Sequence, residues 1–266
     1  AWPWPELTDA TYGIRTGEIY TLGAGTGMGK SEVWKEVAAH LYAQHHQKVG
    51  MLFLEETPEH TLRCLAGKLD STLYHLPDVA FDKAQFEARV EEMSGRVFLY
   101  DHFGYTDFET IRSRIRYLVV SCGCKYIVLD HITALVTGDK ELDERRALDY
   151  LMTSLASLVR ELDFALFLIS HLSTPDGTPH EEGGRVQLKH FRGSRAIGQW
   201  SNFVFGLERN QQDEDEAQRH VSTFRILKDR YTGRATGRTF ELHYDQNTGR
   251  LHSRSDASVF EGQGEF

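Results

Sequence analysis

The stretch Ala24-Gly25-Thr26-Gly27-Met28-Gly29-Lys30-Ser31 constrains this chain more than any other. It follows an apolar run, Ile19-Tyr20-Thr21-Leu22, and opens a segment in which Val33, Val37 and Leu41, with Trp34, Ala38 and Tyr42, repeat at helical spacing. A strand that passes through glycines straight into a helix turns successive backbone N–H groups toward an anion at the positive end of the helix dipole. Lys30 adds a point charge for the β- and γ-phosphates, and Ser31 a hydroxyl for Mg²⁺. The loop therefore predicts a nucleoside triphosphate bound by Gly25, Gly27, Met28, Gly29, Lys30 and Ser31. The general pattern has glycine where this chain has Ala24, but Gly29-Lys30-Ser31 keeps its place at the helix start.

Apolar, β-branched runs alternate with longer helical patterns along the rest of the chain, the signature of a mainly parallel α/β sheet with helices on both faces. Strands are expected near 17–22, 49–54, 96–100, 126–130, 164–170 and 202–207, and helices over 30–46, 57–69, 83–94, 107–121 and 141–162. Thr106-Asp107-Phe108-Glu109 reads as a capping box before the fourth helix. Near the end, 222–229 and 238–243 read as antiparallel strands that extend the sheet at one edge. The 266 residues, 40% hydrophobic, suffice for one large core. We expect a linker remnant over 1–14, one nucleotide-binding domain over 15–252 and a flexible tail over 253–266, the start at Ala1 pointing to a fragment of a longer protein. Three cysteines, Cys64, Cys122 and Cys124, are too few for a disulfide framework and lack zinc-site spacing. No run of about 18 apolar residues is present, which predicts a soluble chain with no membrane partner. The net charge of −9 argues against a generally basic surface that coats nucleic acid, yet leaves room for cations gathered in a channel.

Three strand ends carry the chemistry. Ile127-Val128-Leu129-Asp130 ends in the acid that partners a phosphate loop, holding Mg²⁺ directly or through water. Met51-Leu52-Phe53-Leu54-Glu55-Glu56 ends in two acids; Glu55 is the expected activator of water, while Glu56 faces solvent or caps the next helix. Leu166 to Ser170 leads to His171, where a neutral imidazole can touch the γ-phosphate and report its presence to the long unpatterned stretch 173–189. Arg230, after the strand ending at Lys228-Asp229, is either a surface charge or a finger that completes a neighbouring subunit's site.

The strings Gly-Met-Gly-Lys-Ser (27–31), Leu-Glu-Glu (54–56), Leu-Asp-His-Ile (129–132), His-Glu-Glu-Gly (180–183), Leu-Glu-Arg-Asn-Gln-Gln (207–212), Arg-Ile-Leu-Lys (225–228) and Arg-Tyr-Thr-Gly (230–233) occur in this order. Together, over about 15–250, they resemble the helicase half of phage T7-type primase-helicases, RecA-like hexameric ring helicases related to DnaB and Twinkle. The resemblance implies a RecA-like P-loop NTPase in which Lys30 and Ser31 bind phosphate and Mg²⁺, Glu55 activates water, Asp130 supports the metal and His171 senses the γ-phosphate. It also implies that Arg230 reaches the adjacent subunit's nucleotide with help from Lys228, and that Arg209 and Tyr244 sandwich the base.

By the same resemblance the fuel is ATP or a deoxynucleotide such as dTTP with Mg²⁺, and the partners are single-stranded DNA, five further copies in a homo-hexamer, a primase domain and a replisome DNA polymerase. DNA is met through loops near 131–144, 173–189 and 209–218; the middle one offers Arg185 and Lys189 in place of a run of lysines. The expected activity is NTP-driven 5′ to 3′ translocation on single strands with duplex unwinding, in the host cytoplasm if phage-encoded or the mitochondrial matrix if eukaryotic. A RecA-type recombinase and a phosphate-loop kinase acting on a small molecule are the rival readings.

Overall fold

Strands that are apolar on both sides bury both only when helices cover each face of their sheet. The computed structural model describes residues 1–102, 106–135, 141–175 and 177–254, with backbone alone at 141–144 and Ser194. In chain order they form α1 (Pro5–Thr11), β1 (Ile19–Ala24), α2 (Lys30–His45), β2 (Val49–Phe53), α3 (Pro58–Asp70), α4 (Lys83–Met93), β3 (Val97–Leu99) and α5 (Phe108–Val120). There follow β4 (Tyr126–Asp130), α6 (Glu141–Leu162), β5 (Ala165–His171), α7 (Ser194–Trp200), β6 (Phe203–Glu208), β7 (Val221–Asp229), β8 (Thr239–Tyr244) and β9 (Leu251–Ser253). The strands join in one sheet of order β3-β2-β4-β5-β1-β6-β7-β8-β9. The first six in that order run parallel and the last three antiparallel.

Successive side chains of a strand point to opposite faces, and β5 divides accordingly. Ala165, Phe167 and Ile169 join one core with Trp34, Tyr20 and Phe205, while Leu166 and Leu168 join the other with Ile115, Leu129 and Leu155. Helix α6 supplies Leu148, Leu151, Met152, Leu155, Leu158 and Val159 to the second core, the stripe its periodicity predicts. No helix among the described residues is long and apolar enough to cross a membrane.

The segment 1–14 is not a linker remnant. Pro5 starts α1 at a position where its missing N–H costs nothing, and Trp2, Trp4 and Leu7 are buried. Both indole donors are satisfied, Trp2 Nε1 by Thr11 Oγ1 at 2.8 Å and Trp4 Nε1 by the Leu251 carbonyl at 2.9 Å. At the other end Ser253 still belongs to β9, so the domain runs past 252, and the rest of the expected tail, 255–266, lies outside the described residues. Asp107 rather than Thr106 caps α5, accepting the Thr110 N–H at 2.8 Å, while Thr106 is buried. Strand β1 begins later than expected because Gly17, at φ 77°, turns the chain first, and it continues through Gly23 into Ala24.

Candidate active site

Ala24 ends β1, paired with His171 on one side and Leu207 on the other. The departure from the general loop pattern thus falls inside the strand, where a methyl group is buried without penalty. Beyond it Gly27 (φ 69°) and Gly29 (φ 86°) take the left-handed backbone that side chains disfavour, and Gly29 is the N-cap residue of α2. Gly25 is required by proximity: a Cβ there would sit 2.8 Å from the His180 Cβ and 3.0 Å from Glu181 Oε1. Met28 is buried beneath the loop.

The parallel strands β1, β2, β4 and β5 all end on this edge, so their terminal residues converge, as in open α/β sheets that bind ligands at the strands' carboxyl ends. Lys30, Ser31, Glu55, Asp130 and His171 line one cleft of about 390 Å³ together with Glu32, Lys35, Glu56 and His60. Ser31 Oγ donates to Asp130 Oδ2 at 2.5 Å. Burial pushes the Asp130 carboxyl up, against the opposing pull of Ser31, His131 and Lys30. Lys30 Nζ curls back onto the carbonyls of Ala24 and Gly25 at 3.2 and 3.1 Å, and burial lowers its pKa although Asp130, Glu55 and Glu181 oppose that shift.

Glu55 is 68% exposed, and its Oε1 lies 3.0 Å from His131 Nε2. That contact is the largest cause holding its carboxyl below the usual range. Glu56 neither faces solvent nor caps α3: it receives Lys35 Nζ at 2.8 Å and the Thr61 hydroxyl at 2.7 Å, and Thr57 is the cap residue. Burial, then the neighbouring His131 and Lys30, lower His171 to about 4, so it is neutral at pH 7.

A second cavity of about 190 Å³ adjoins the cleft across Gly27, Met28 and Gly29 and is lined by Arg209 and Tyr244 with Val33, Leu207 and Leu242. Arg209 Nη2 and Gln211 Nε2 both donate to the Gly27 carbonyl, at 3.0 and 2.9 Å. Burial lowers the Arg209 pKa and raises that of Tyr244. The segment after β5 is tied down rather than loose. Ser173 N–H donates to the His190 carbonyl at 2.7 Å, Val186 N–H to Glu208 Oε1 at 2.9 Å, and Thr26 N–H reaches Glu181 Oε1 at 3.2 Å. Arg185 and Lys189 on it are both exposed.

Arg230 and Lys228 lie elsewhere. Because β7 runs antiparallel to β6, Asp229 pairs with Phe203 at the start of β6, where Tyr20 at the start of β1 also pairs. Arg230 Nη1 donates to the Gln199 carbonyl at 3.0 Å, and Lys228 Nζ to the carbonyls of Gly198 and Ser201, both at 2.6 Å. Burial, with Arg230 beside it, lowers Lys228 to about 8. The length of β1, roughly 20 Å at ~3.3 Å per residue, separates this edge from the phosphate loop of the same chain.

Sequence reasoning missed His131, Glu181 and Gln211 as parts of the site. An Asp-His pair stands at or just past a strand end twice in this chain, at 101–102 and 130–131, and only the position of β4 inside the sheet distinguishes the second.

A phosphate loop heading a helix beside β1, with acids from β2 and β4 facing it across a strand-order reversal, defines a RecA-like P-loop NTPase domain. Residues 3–253 match the family of the DnaB-like helicase C terminal domain. The chain belongs to that family. It is 33% identical over 97% of its length to a DNA helicase/primase of Enterobacteria phage T3, and 23% identical over 79% of its length to the replicative DNA helicase DnaB of Treponema pallidum. It spans 46% and 48% of those two proteins, about half of each. Among solved structures, a DnaB-like replicative helicase studied with its primase interactions superposes with a TM-score of 0.78 at 18% identity, covering 94% of this chain and 62% of that one. A second solved structure, of an ATPase domain, superposes with a TM-score of 0.75 at 19% identity, covering 93% and 88%. These two likenesses concern the fold.

Proposed function

We propose that this domain is the motor of a replicative DNA helicase, hydrolysing a nucleoside triphosphate between subunits of a hexameric ring and moving 5′ to 3′ on single-stranded DNA. The observation that carries the reading is the division of the site. The phosphate loop, Glu55, Asp130 and His171 stand at one edge of the sheet, and Arg230 and Lys228 at the opposite edge of the same sheet. A second copy is the source that can bring an Arg230 to a bound γ-phosphate. In NTPases with such fingers the contribution is ~10³–10⁵ in rate.

The donors fit Mg²⁺: the Ser31 hydroxyl and Asp130 are hard oxygen ligands already in contact, and magnesium takes few protein ligands beside phosphate and water. Bound there, the ion would neutralise charge on the β- and γ-phosphates. Lys30 then exchanges two backbone carbonyls for phosphate oxygens, and the Glu55 carboxylate accepts the proton of the attacking water. Neutral His171 donates one N–H toward the γ-phosphate and begins the path into 173–189. Arg209 and Tyr244 take the base by stacking, which admits ATP and dTTP alike because every base presents a π-face. Arg185 and Lys189 supply cations to the DNA backbone. The phage T3 relative, a DNA helicase/primase, favours a primase domain as partner and the cytoplasm of an infected host.

The test is hydrolysis with and without single-stranded DNA for the wild type, Arg230→Ala, Glu55→Gln and a mixture of the two variants. Each variant alone is expected to be nearly inactive, and mixing to restore turnover, since an Arg230→Ala loop can face an intact Arg230 on a Glu55→Gln neighbour. A mixture no more active than its parts removes the shared site.

A further inference from the structure

The Glu55 carboxylate is exposed and follows the end of β2, and among the described residues its side chain has a single ion-pair contact, Oε1 to His131 Nε2 at 3.0 Å. A carboxylate free to sample rotamers spends most of its time out of line with an attacking water, and small misplacement of a base is costly.

His131 is itself held from behind. It is 6% exposed, its Nδ1 accepts the backbone N–H of Ala134 at 3.1 Å, and the Thr133 hydroxyl lies 2.5 Å from the same nitrogen. A ring nitrogen that accepts a backbone N–H carries no proton, so the neutral ring bears its hydrogen on Nε2, the nitrogen that faces Glu55. The ring also packs on His171, with centroids 3.9 Å apart at 47°. Glu55, His131 and His171 bring their ligand-type atoms within 4.8 Å of one another, a spacing compatible with a metal ion. The tautomer argues against that use, because Nε2–H offers a metal no lone pair.

We infer that His131 is the positioning residue for the water-activating carboxylate: its Nε2–H holds Glu55 in the attacking geometry, and its packing on His171 places base and γ-phosphate sensor in one rigid unit. The inference rests on the proposed role of Glu55 and goes beyond it. In this inference His131 acts through Glu55.

Four proteins test this in steady-state NTP hydrolysis with Mg²⁺, alongside nucleotide affinity measured directly: His131→Leu, His131→Gln, Glu55→Gln and the double variant His131→Leu/Glu55→Gln. Glutamine carries an N–H donor at about the reach of Nε2, and leucine carries none. Expected are a fall in kcat on the order of 10²-fold for His131→Leu, unchanged nucleotide affinity and KM, recovery of most of the rate in His131→Gln, and no further loss when His131→Leu is added to Glu55→Gln. Equal impairment of the leucine and glutamine variants, or a loss of nucleotide affinity, assigns His131 to packing and overturns the inference while the role of Glu55 stands. Full activity in His131→Leu does the same. Undiminished turnover in Glu55→Gln removes the base itself, and both readings fall together.

Discussion

Arg209 follows the end of β6 and Tyr244 closes β8, yet both side chains line one cavity against Gly27. A base held between a guanidinium plane and a phenol ring gains ~1–3 kcal/mol from stacking. Tyr244→Ala is therefore expected to raise KM for the nucleotide by about 5- to 160-fold, the range that energy implies, with kcat little changed. Tyr244→Phe, which keeps the ring, should remain near wild type. Steady-state kinetics with ATP and with dTTP decide it, and a fall in kcat at constant KM would place Tyr244 outside base binding. At this scale the sequence was informative wherever a residue ended a buried strand: Glu55, Asp130 and His171 were placed by that criterion and they meet in one cleft. It was silent on His131 and Glu181, whose roles depend on what another strand or loop brings opposite them. It also misread Glu56, because Lys35 lies on another element and nothing local announces it.

Helix α2 carries the phosphate loop and is anchored by charges that no single element contains. Lys35 pairs with Glu32 and Glu56, and Lys68 of α3 with Glu32 and Glu36. Arg250 Nε reaches Glu36 at 2.8 Å from the turn before β9. Burial alone would raise the Glu32 carboxyl, but Lys68 and Lys35 outweigh it and hold the group at about 2, against an ordinary 4.5. A depressed carboxyl stabilises the fold fully above its unfolded pKa, and that contribution is lost as pH falls through the folded value. Wild-type stability should thus decline from about pH 4.5 toward pH 2. Glu32→Gln should be less stable at pH 7 and lose less over that interval. Urea midpoints across the range measure both, and parallel curves for the two proteins would refute the assignment. Long helices were legible in the sequence because their apolar period repeats several times. α1, α7 and β9, of 7, 7 and 3 residues, are too short to display one.

The first residues of the chain pack against the last described strand. Trp4 packs on Phe224 and Phe240 with ring centroids 6.0 and 6.3 Å apart, and its indole N–H caps the carbonyl of Leu251 in the last strand. Trp4→Ala is expected to cost about 3–5 kcal/mol, as large core aromatics do, seen as a lower urea midpoint with an unchanged slope. A linker would leave the midpoint where it is. Within 1–14, where the sequence predicts a linker remnant, the buried indoles of Trp2 and Trp4 are the structural content. The same scale governs the motor reading, since only the antiparallel turn of β7 carries Arg230 to the edge away from its own phosphate loop.

Local chemistry settled the phosphate loop, the alternation of strand and helix, and the acids at strand ends, because each depends on residues adjacent in the chain or on a short repeating period. Tertiary structure alone decided which ring faces Glu55, which lysines Glu32 and Glu56 meet, and at which edge Arg230 emerges. Those outcomes depend on strand order and direction, and contacts between residues distant in sequence carry no local pattern.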